Sequence, residues 1–453
     1  MPAMSLPPGP RLPRLLQVLA PLRDPTGFWD SCARRYGPTW TWRPLGFGEW
    51  VYFSDPEVNR EIFTGDPEVF RAGLGRSALG PIFGTGLLGA NSLLLLEGAK
   101  HLRHRRILLP PFHGERIEAY ARVMAESVTR AMATWPLGQP IALYHRFEEI
   151  TLEVIMRTVF GLEAGPAQAR LTHLLVDLLK IAYSPALWLM PILSTRARFG
   201  PWGRFYRLAA EIDRIIYDEI AARRAAGAAG EDILSLILAA RDEDGQALSD
   251  TEIRDELVTM LIAGHDSTAT ALAWTFELVL AAPEVQARLE AEIDAVAGDG
   301  VFDRARLGQL EYCDAVIKES LRLQPPVPGC VRELAAPAKL GGYELPAGTR
   351  VLASAWLTQR RPDIYPDPLR FDPDRFLGVK PDPYAWLPFG TGLRGCIGTA
   401  YSLFEMKVVL ATALSLARVR RAPGPRARPR LHEVMLVPST GTMAILDGWK
   451  RQP

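Results

Sequence analysis

Apolar residues recur at helical spacing from about Gly114 to Leu280, in stretches rich in Ala, Leu, Glu and Arg with few strand-like runs. A 3.6-residue period turns one face of each stretch towards a core, so the body of the protein reads as mostly α. Ahead of it, Trp40-Thr-Trp-Arg-Pro44 and Glu49-Trp-Val-Tyr-Phe-Ser54 are aromatic and β-branched runs flanked by Gly and Pro, which predict paired strands of a small sheet. Gly341 to Leu352 predicts a hairpin around Pro346-Ala-Gly348, and His432 to Leu446 a second around Ser439-Thr-Gly441. Ser249-Asp-Thr-Glu252 is a capping box, in which hydroxyl and carboxylate cover each other's free backbone N–H groups. The helix it opens runs to about Ala282, where Pro283 stops it, and at roughly 1.5 Å per residue it is about 45 Å long, enough to cross a domain. Ala225-Ala-Gly-Ala-Ala-Gly230 reads as a surface loop between helices. The Pro- and Gly-rich stretch from Leu369 to Gly398 is too long for a plain connection, which marks it as functional.

Composition narrows the class. With 453 residues, 48% hydrophobic and 23% charged, the chain can bury a large core, and disorder is excluded. Lys+Arg 52 against Asp+Glu 51 leaves a formal charge of +1, so no global field recommends nucleic acid or an anionic surface as the main partner. The arginines at 418–421 and 426–430 form a basic loop without interleaved aromatics, which predicts a solvated surface and no nucleic acid. Four scattered cysteines form neither a disulfide framework nor a C-x-x-C zinc site, which fits a reducing cytoplasm. The N-terminus lacks the basic start and long apolar run of a leader or anchor. Leu15 to Leu22 is too short to span a bilayer, so no membrane partner is expected.

The most specific string is Phe389-Gly-Thr-Gly392-Leu-Arg394-Gly-Cys396-Ile-Gly398, followed by a helical pattern with Ala400, Phe404 and Val408 on one face. Backbone N–H groups and the positive end of a helix dipole stabilise a thiolate there, the form of cysteine that binds a metal. The glycines let the backbone approach a flat cofactor, and Phe389 can shield the sulfur. A lone cysteine is more often inert core, but this string resembles the haem-binding signature of the cytochrome P450 family, F-x-x-G-x-R-x-C-x-G, at every fixed position. Glu319-Ser-Leu-Arg322 is similar to that family's E-x-x-R and Pro373-Asp-Arg375-Phe376 to its P-x-R-F. On a helix, Glu319 and Arg322 lie one turn apart, and Arg375 can complete a shared network, a lock for the cysteine loop and not an acid/base pair. Ala263-Gly264-His265-Asp266-Ser267-Thr268, inside the long helix, resembles the oxygen-activation motif A-G-x-(D/E)-T, with serine where most members carry threonine.

The resemblance implies a mainly α fold with small β-sheets, the cytochrome P450 fold, as a single large domain over residues 1–453 with a proline-rich segment at 1–25. It implies haem b as cofactor with Cys396 as the iron ligand, and Phe389, Gly392, Arg394 and Gly398 around the cofactor. His101 and Arg105, four apart on one helical face, together with Arg394 and Arg332, would bind haem propionates. Arg103 and Arg106 would face outward, where an acidic electron carrier could dock. Ala263 and Gly264 would lie against the haem, and Asp266 with Ser267 or Thr268 would deliver protons during oxygen activation. His265, at the variable position, is expected to be hydrogen-bonded structure.

The implied activity is a monooxygenase that inserts one atom of O2 into a lipophilic small molecule such as a fatty acid, terpenoid or steroid. Gly73 to Leu96, Ile181 to Phe205, the helix near Ala263, Val327 to Val331 and the turn near Thr440 are the expected pocket segments. With little room after the cysteine helix for a flavin domain, electrons would come from a ferredoxin or flavodoxin with its NAD(P)H-dependent reductase. A cytoplasmic monomer is expected. The alternatives are a haem-thiolate peroxygenase or isomerase, against which Asp266 with Ser267 argues, and a haem sensor or ligand carrier, which an added signalling domain would support.

Overall fold

The computed structural model describes residues 6–72, 87–162, 165–182, 200–227, 230–298, 302–432 and 434–452. Among the described residues helices dominate, with four small sheets, so the fold is mainly α as expected. The chain divides into two compact units, one of residues 1–73, 112–151 and 266–453, the other of 74–111 and 152–265.

All the sheets belong to the first unit. Its largest has five strands in the order Thr39–Trp42, Trp50–Phe53, Arg350–Ala353, Cys330–Leu334, Phe70–Arg71. The first two pair antiparallel, as the aromatic runs predict, and Trp50–Phe53 then pairs in parallel with Arg350–Ala353. Alternation sorts the side chains. Val51, Phe53, Val351 and Ala353 enter one core with Ile62, Phe63 and Leu387, while Tyr52 and Leu352 enter another with Trp29, Trp40 and Trp356. There the Trp40 and Tyr52 rings stack at 4.2 Å between centroids.

Neither expected hairpin forms as read; the strands pair one step earlier in the chain in both places. Ala338–Leu340 and Tyr343–Leu345 pair across Gly341-Gly342, not Pro346-Ala-Gly348. Both glycines have positive φ, 55° and 84°, the backbone that two-residue hairpin turns require. Pro346 to Gly348 instead turns the chain into the next strand, with the Gly348 N–H bonded to the Leu334 carbonyl. Likewise Pro429–His432 pairs with Met435–Pro438, while the turn at Ser439 to Thr442 carries the chain to Met443–Trp449 of a different sheet. That turn is anchored on the long helix by the Thr442 hydroxyl, bonded to the Ala273 carbonyl at 2.9 Å.

The long helix spans Asp250–Val279, opened by Ser249 and Glu252 in the predicted reciprocal bonds, and Pro283 begins the next helix, Pro283–Val296. Helix Thr399–Leu416 is long and apolar enough to cross a membrane, alone in this among the described residues, yet most of it is buried in the protein. Tyr401 packs edge-on against Phe112 and Tyr120. One turn on, Glu405 is fully buried, with no hydrogen-bond partner for either oxygen among the described residues. Burial therefore pushes its carboxyl well above the usual carboxylate range and keeps it protonated.

The second unit is helical, built on Gly98–Leu108, Pro166–Ala182, Gly200–Ala225, Ile233–Ala239 and the first half of the long helix. Charged side chains stitch it together. Arg254 bonds Asp213 and Asp255, and Arg223 bonds Glu219, Asp232 and the Phe160 carbonyl.

A native state that holds the Glu405 proton loses stability as pH rises from about 4.5, the unfolded value, towards the higher folded one. Glu405→Gln carries no such proton. Its stability relative to the wild type, from urea unfolding at several pH values, should improve steadily with pH, and a pH-independent difference would refute a protonated Glu405.

Candidate active site

The cysteine loop is shaped by backbone bonds. Gly390 N–H bonds the Leu387 carbonyl at 3.1 Å, Gly395 N–H the Gly392 carbonyl at 3.0 Å, and Cys396 N–H the Phe389 carbonyl at 2.9 Å. Two of its glycines are obligatory. Gly392, at φ 71°, would bring a Cβ within 2.8 Å of the Phe63 carbonyl oxygen, and Gly390, at φ 62°, within 3.0 Å of the Cys330 sulfur. Cys396 lies just before Gly398, the N-cap of helix Thr399–Leu416, and its carbonyl accepts the Thr399 hydroxyl at 2.9 Å. Phe389 is half-buried, its ring tilted against that of Trp386 with the centroids 6.0 Å apart.

Cys396 differs from the other three cysteines. Burial pushes the Cys32 thiol up to about 11 and raises those of Cys313 and Cys330, which keeps them protonated. Cys396 is exposed. Arg332, on strand Cys330–Leu334, is buried with its guanidinium 5.5 Å from the Phe63 ring centre. Arg394 is half-buried in the short turn Gly392–Arg394.

Beneath the loop sits the expected lock. On helix Glu311–Leu323, Arg322 holds Glu319 bidentately at 2.6 and 2.8 Å, and both are fully buried. The remaining guanidinium protons reach the carbonyls of Gln359, Pro368 and Arg370, while Glu319 also accepts the Asp372 N–H at 3.0 Å and stands 3.5 Å from Arg375. Gln359 continues the chain of contacts, since its side-chain oxygen accepts the Leu387 N–H at 2.6 Å, at the entrance to the cysteine loop.

On the long helix nearly every position from Ile253 to Glu277 is buried, but Ala263 is exposed and Ile262, Gly264 and Ser267 are partly accessible. Gly264 admits the Ile155 side chain, which a Cβ would meet at 2.7 Å. His265 bonds the Leu261 carbonyl at 2.7 Å, the structural role expected of it. Thr268 is buried, its hydroxyl 3.2 Å from that of Ser402 on the cysteine helix. Asp266 is buried and accepts the Tyr144 phenol at 2.8 Å. Burial first, and then the Asp266 charge, push the Tyr144 phenol far up, so it stays a donor. Sequence reasoning missed Tyr144, because nothing local in Leu143–Val159 announces a partner in another helix.

In the second unit His101 is buried and Arg105 half-buried on helix Gly98–Leu108. Arg103 does not face outward as expected. It is held by Asp242 at 2.6 Å, Glu252 at 3.2 Å and the Ala247 carbonyl, because acids on two neighbouring segments converge on it. Arg106 is exposed, paired with Glu243. His104, also unforeseen, is buried between Glu256 at 2.7 Å and Glu252 at 3.2 Å. The described part of the first expected pocket segment, 87–96, is tied to the long helix through Asp255, Glu256 and Thr259. Residues 73–86 and 183–199, the rest of that segment and most of the second, lie outside the described residues.

The profile of the Cytochrome P450 family matches residues 6–445, and the chain belongs to that family. It is 40% identical over 444 residues to cytochrome P450 135B1 of Mycobacterium tuberculosis, covering 97% of this chain and 91% of that one. Cytochrome P450 137 of the same organism is 36% identical over 411 residues, 90% of this chain and 83% of the other. Among solved structures, a retinoic acid-bound cyanobacterial CYP120A1 superposes with a TM-score of 0.83 at 26% identity, over 98% and 99% of the two chains. The haem domain of cytochrome P450DA gives 0.86 at 24%, over 99% of each. The cofactor of this family is haem b, held by a cysteine thiolate, and the residues present fit it. The one exposed thiol of the four stands in a loop with glycine at 390, 392, 395 and 398, which lets a flat group come close to the backbone.

Arg322→Leu would leave Glu319 buried without its counter-charge, a loss of about 3–5 kcal/mol by denaturant unfolding. Arg375→Leu, on a side chain 14% exposed and 3.5 Å away, should cost less. Equal losses would contradict the central place of Arg322.

Proposed function

We propose that this chain is a haem-thiolate monooxygenase in which Cys396 ligates the iron. The observation that carries the reading is its exposure before a buried helix, while Cys32, Cys313 and Cys330 are held protonated by burial. Members of the family couple O2 and electrons from redox partners to the oxidation of lipophilic molecules, and haem, when bound, supplies the oxygen-activating chemistry.

Around it this chain's residues have separable tasks. Gly390, Gly392 and Gly398 keep side chains away from the cofactor's face, and Phe389 shields the sulfur. His101, Arg105, Arg332 and Arg394 are cations for its two carboxylates. Asp266 is the internal proton acceptor and donor. Its hydrogen bond from Tyr144 fixes one oxygen and leaves the other for proton exchange. The hydroxyl that works with it is that of Ser267, which is partly accessible, because Thr268 is buried against Ser402. Ala263 and Gly264 keep the helix low beside the cofactor.

The substrate class is a lipophilic small molecule such as a fatty acid, terpenoid or steroid, a reading supported by the apolar run at 181–191 and by the retinoic acid in a structural relative. The chain acts as one catalytic domain, a cytoplasmic monomer fed by a ferredoxin or flavodoxin and its NAD(P)H-dependent reductase.

Two experiments test this. The reduced, carbon monoxide-bound wild type should give a thiolate-type Soret band that Cys396→Ala lacks; identical spectra would remove Cys396 as ligand. In turnover with a reconstituted redox system, Ser267→Ala should release more hydrogen peroxide per NAD(P)H than Thr268→Ala, whose loss should appear in stability. The reverse ranking would return the proton role to Thr268, and no product above an electron-free control would sink the monooxygenase reading.

A further inference from the structure

Leu12, Leu15, Leu16, Leu19 and Leu22 are exposed by 48, 59, 47, 51 and 64%, on and just before helix Arg14–Arg23. Their spacing of three and four residues puts them along one side of the helix. Solitary exposed leucines are ordinary, but five in one stripe are not. Leu45, 54% exposed, joins the helix where its N–H bonds the Arg14 carbonyl.

The stripe is held outward. Gln17 and Pro21, on the other side, are buried. The Gln17 side chain donates to the Pro10 and Leu12 carbonyls and accepts the Arg43 N–H at 2.8 Å, while its own carbonyl accepts the Trp42 indole at 3.0 Å. These bonds pin the helix to the first strand pair, so the leucines cannot roll inward. Arg11, Arg14 and Arg23 stand exposed at the ends of the stripe, with Arg14 4.0 Å from Glu49.

We propose that this helix is a docking surface for a lipid bilayer with anionic headgroups, lying in the interface with its leucines among the acyl chains and its arginines among the phosphates. Ten residues are half the roughly 20 needed to span, but enough for an amphipathic helix to lie flat. Size argues against a protein partner. One face of a helix about 15 Å long and about 10 Å wide covers a few hundred Å² at most, whereas a stable protein interface takes about 800 Å² from each partner. A bilayer needs no matching surface, and the flanking arginines complement its charge.

The test is co-sedimentation of the haem-loaded protein with vesicles of phosphatidylcholine, with and without phosphatidylglycerol. The wild type should bind the phosphatidylglycerol vesicles, less so at about 1 M salt, where charges are screened within about 3 Å. Leu15→Asp/Leu19→Asp/Leu22→Asp should lose at least about ten-fold in partitioning, and Arg11→Glu/Arg14→Glu/Arg23→Glu should lose the preference for phosphatidylglycerol. These side chains are exposed, so unfolding temperature and carbon monoxide spectrum should not change; if the aspartate variant unfolds, Leu15→Gln/Leu22→Gln replaces it and should show a smaller loss. Wild-type protein that stays in solution with both vesicles, or leucine variants that bind as it does, would overturn the proposal. So would a wild-type dimer, by sedimentation velocity, that the leucine variants abolish.

Discussion

A guanidinium and a carboxylate taken wholly out of water must satisfy each other and every remaining proton and lone pair, and at Arg322 and Glu319 they do so by gathering distant chain segments. The carbonyls of Gln359, Pro368 and Arg370 and the N–H of Asp372 all converge on this pair. The stretch between them has little regular structure to hold it, and the buried charges replace the ladder that a helix or strand would have supplied. From Gln359 the same constraint passes to Leu387 and so to the loop that ends at Cys396. The sulfur's position is thus fixed by electrostatics one layer below it, and glycines at 390 and 392 let the backbone accept the path that results.

The long helix shows the complementary device. Small or polar residues at 263, 264 and 267 leave it accessible in mid-course, while the hydroxyl of Thr268 is taken up by Ser402 and the carboxylate of Asp266 by Tyr144. Asp266 is thus held in place by a neutral donor, the geometry that the proposed proton relay calls for. Tyr144 is placed in turn by backbone, because its own N–H bonds the Gly441 carbonyl at 3.0 Å.

What the sequence made legible was whatever chemistry writes locally. The capping box at Ser249 and the one-turn spacing of Glu319 and Arg322 depend on neighbours a few residues away and stand as read, and the glycine-flanked Cys396 is found exposed just before its helix. Hairpin turns were half legible. Pro346-Ala-Gly348 and Gly341-Gly342 both have turn composition, and only pairing with a third strand decides which one closes the hairpin. Arg103 looked like a surface cation because the acids that capture it, Asp242 and Glu252, are remote in sequence. Tyr144 and Glu405 were invisible for the same reason: a polar residue on an apolar helical face gives no sign of what, if anything, meets it.

The parallel pairing of Trp50–Phe53 with Arg350–Ala353 also bears on synthesis. The first two strands leave the ribosome early, yet the neighbour that covers the inner edge of Trp50–Phe53 arrives only after most of the chain has been made. Until then this aromatic hairpin is an open sheet edge, liable to pair with whatever strand it meets. Closing the sheet is therefore a late event, and a nascent chain stalled before Arg350 carries that edge uncovered.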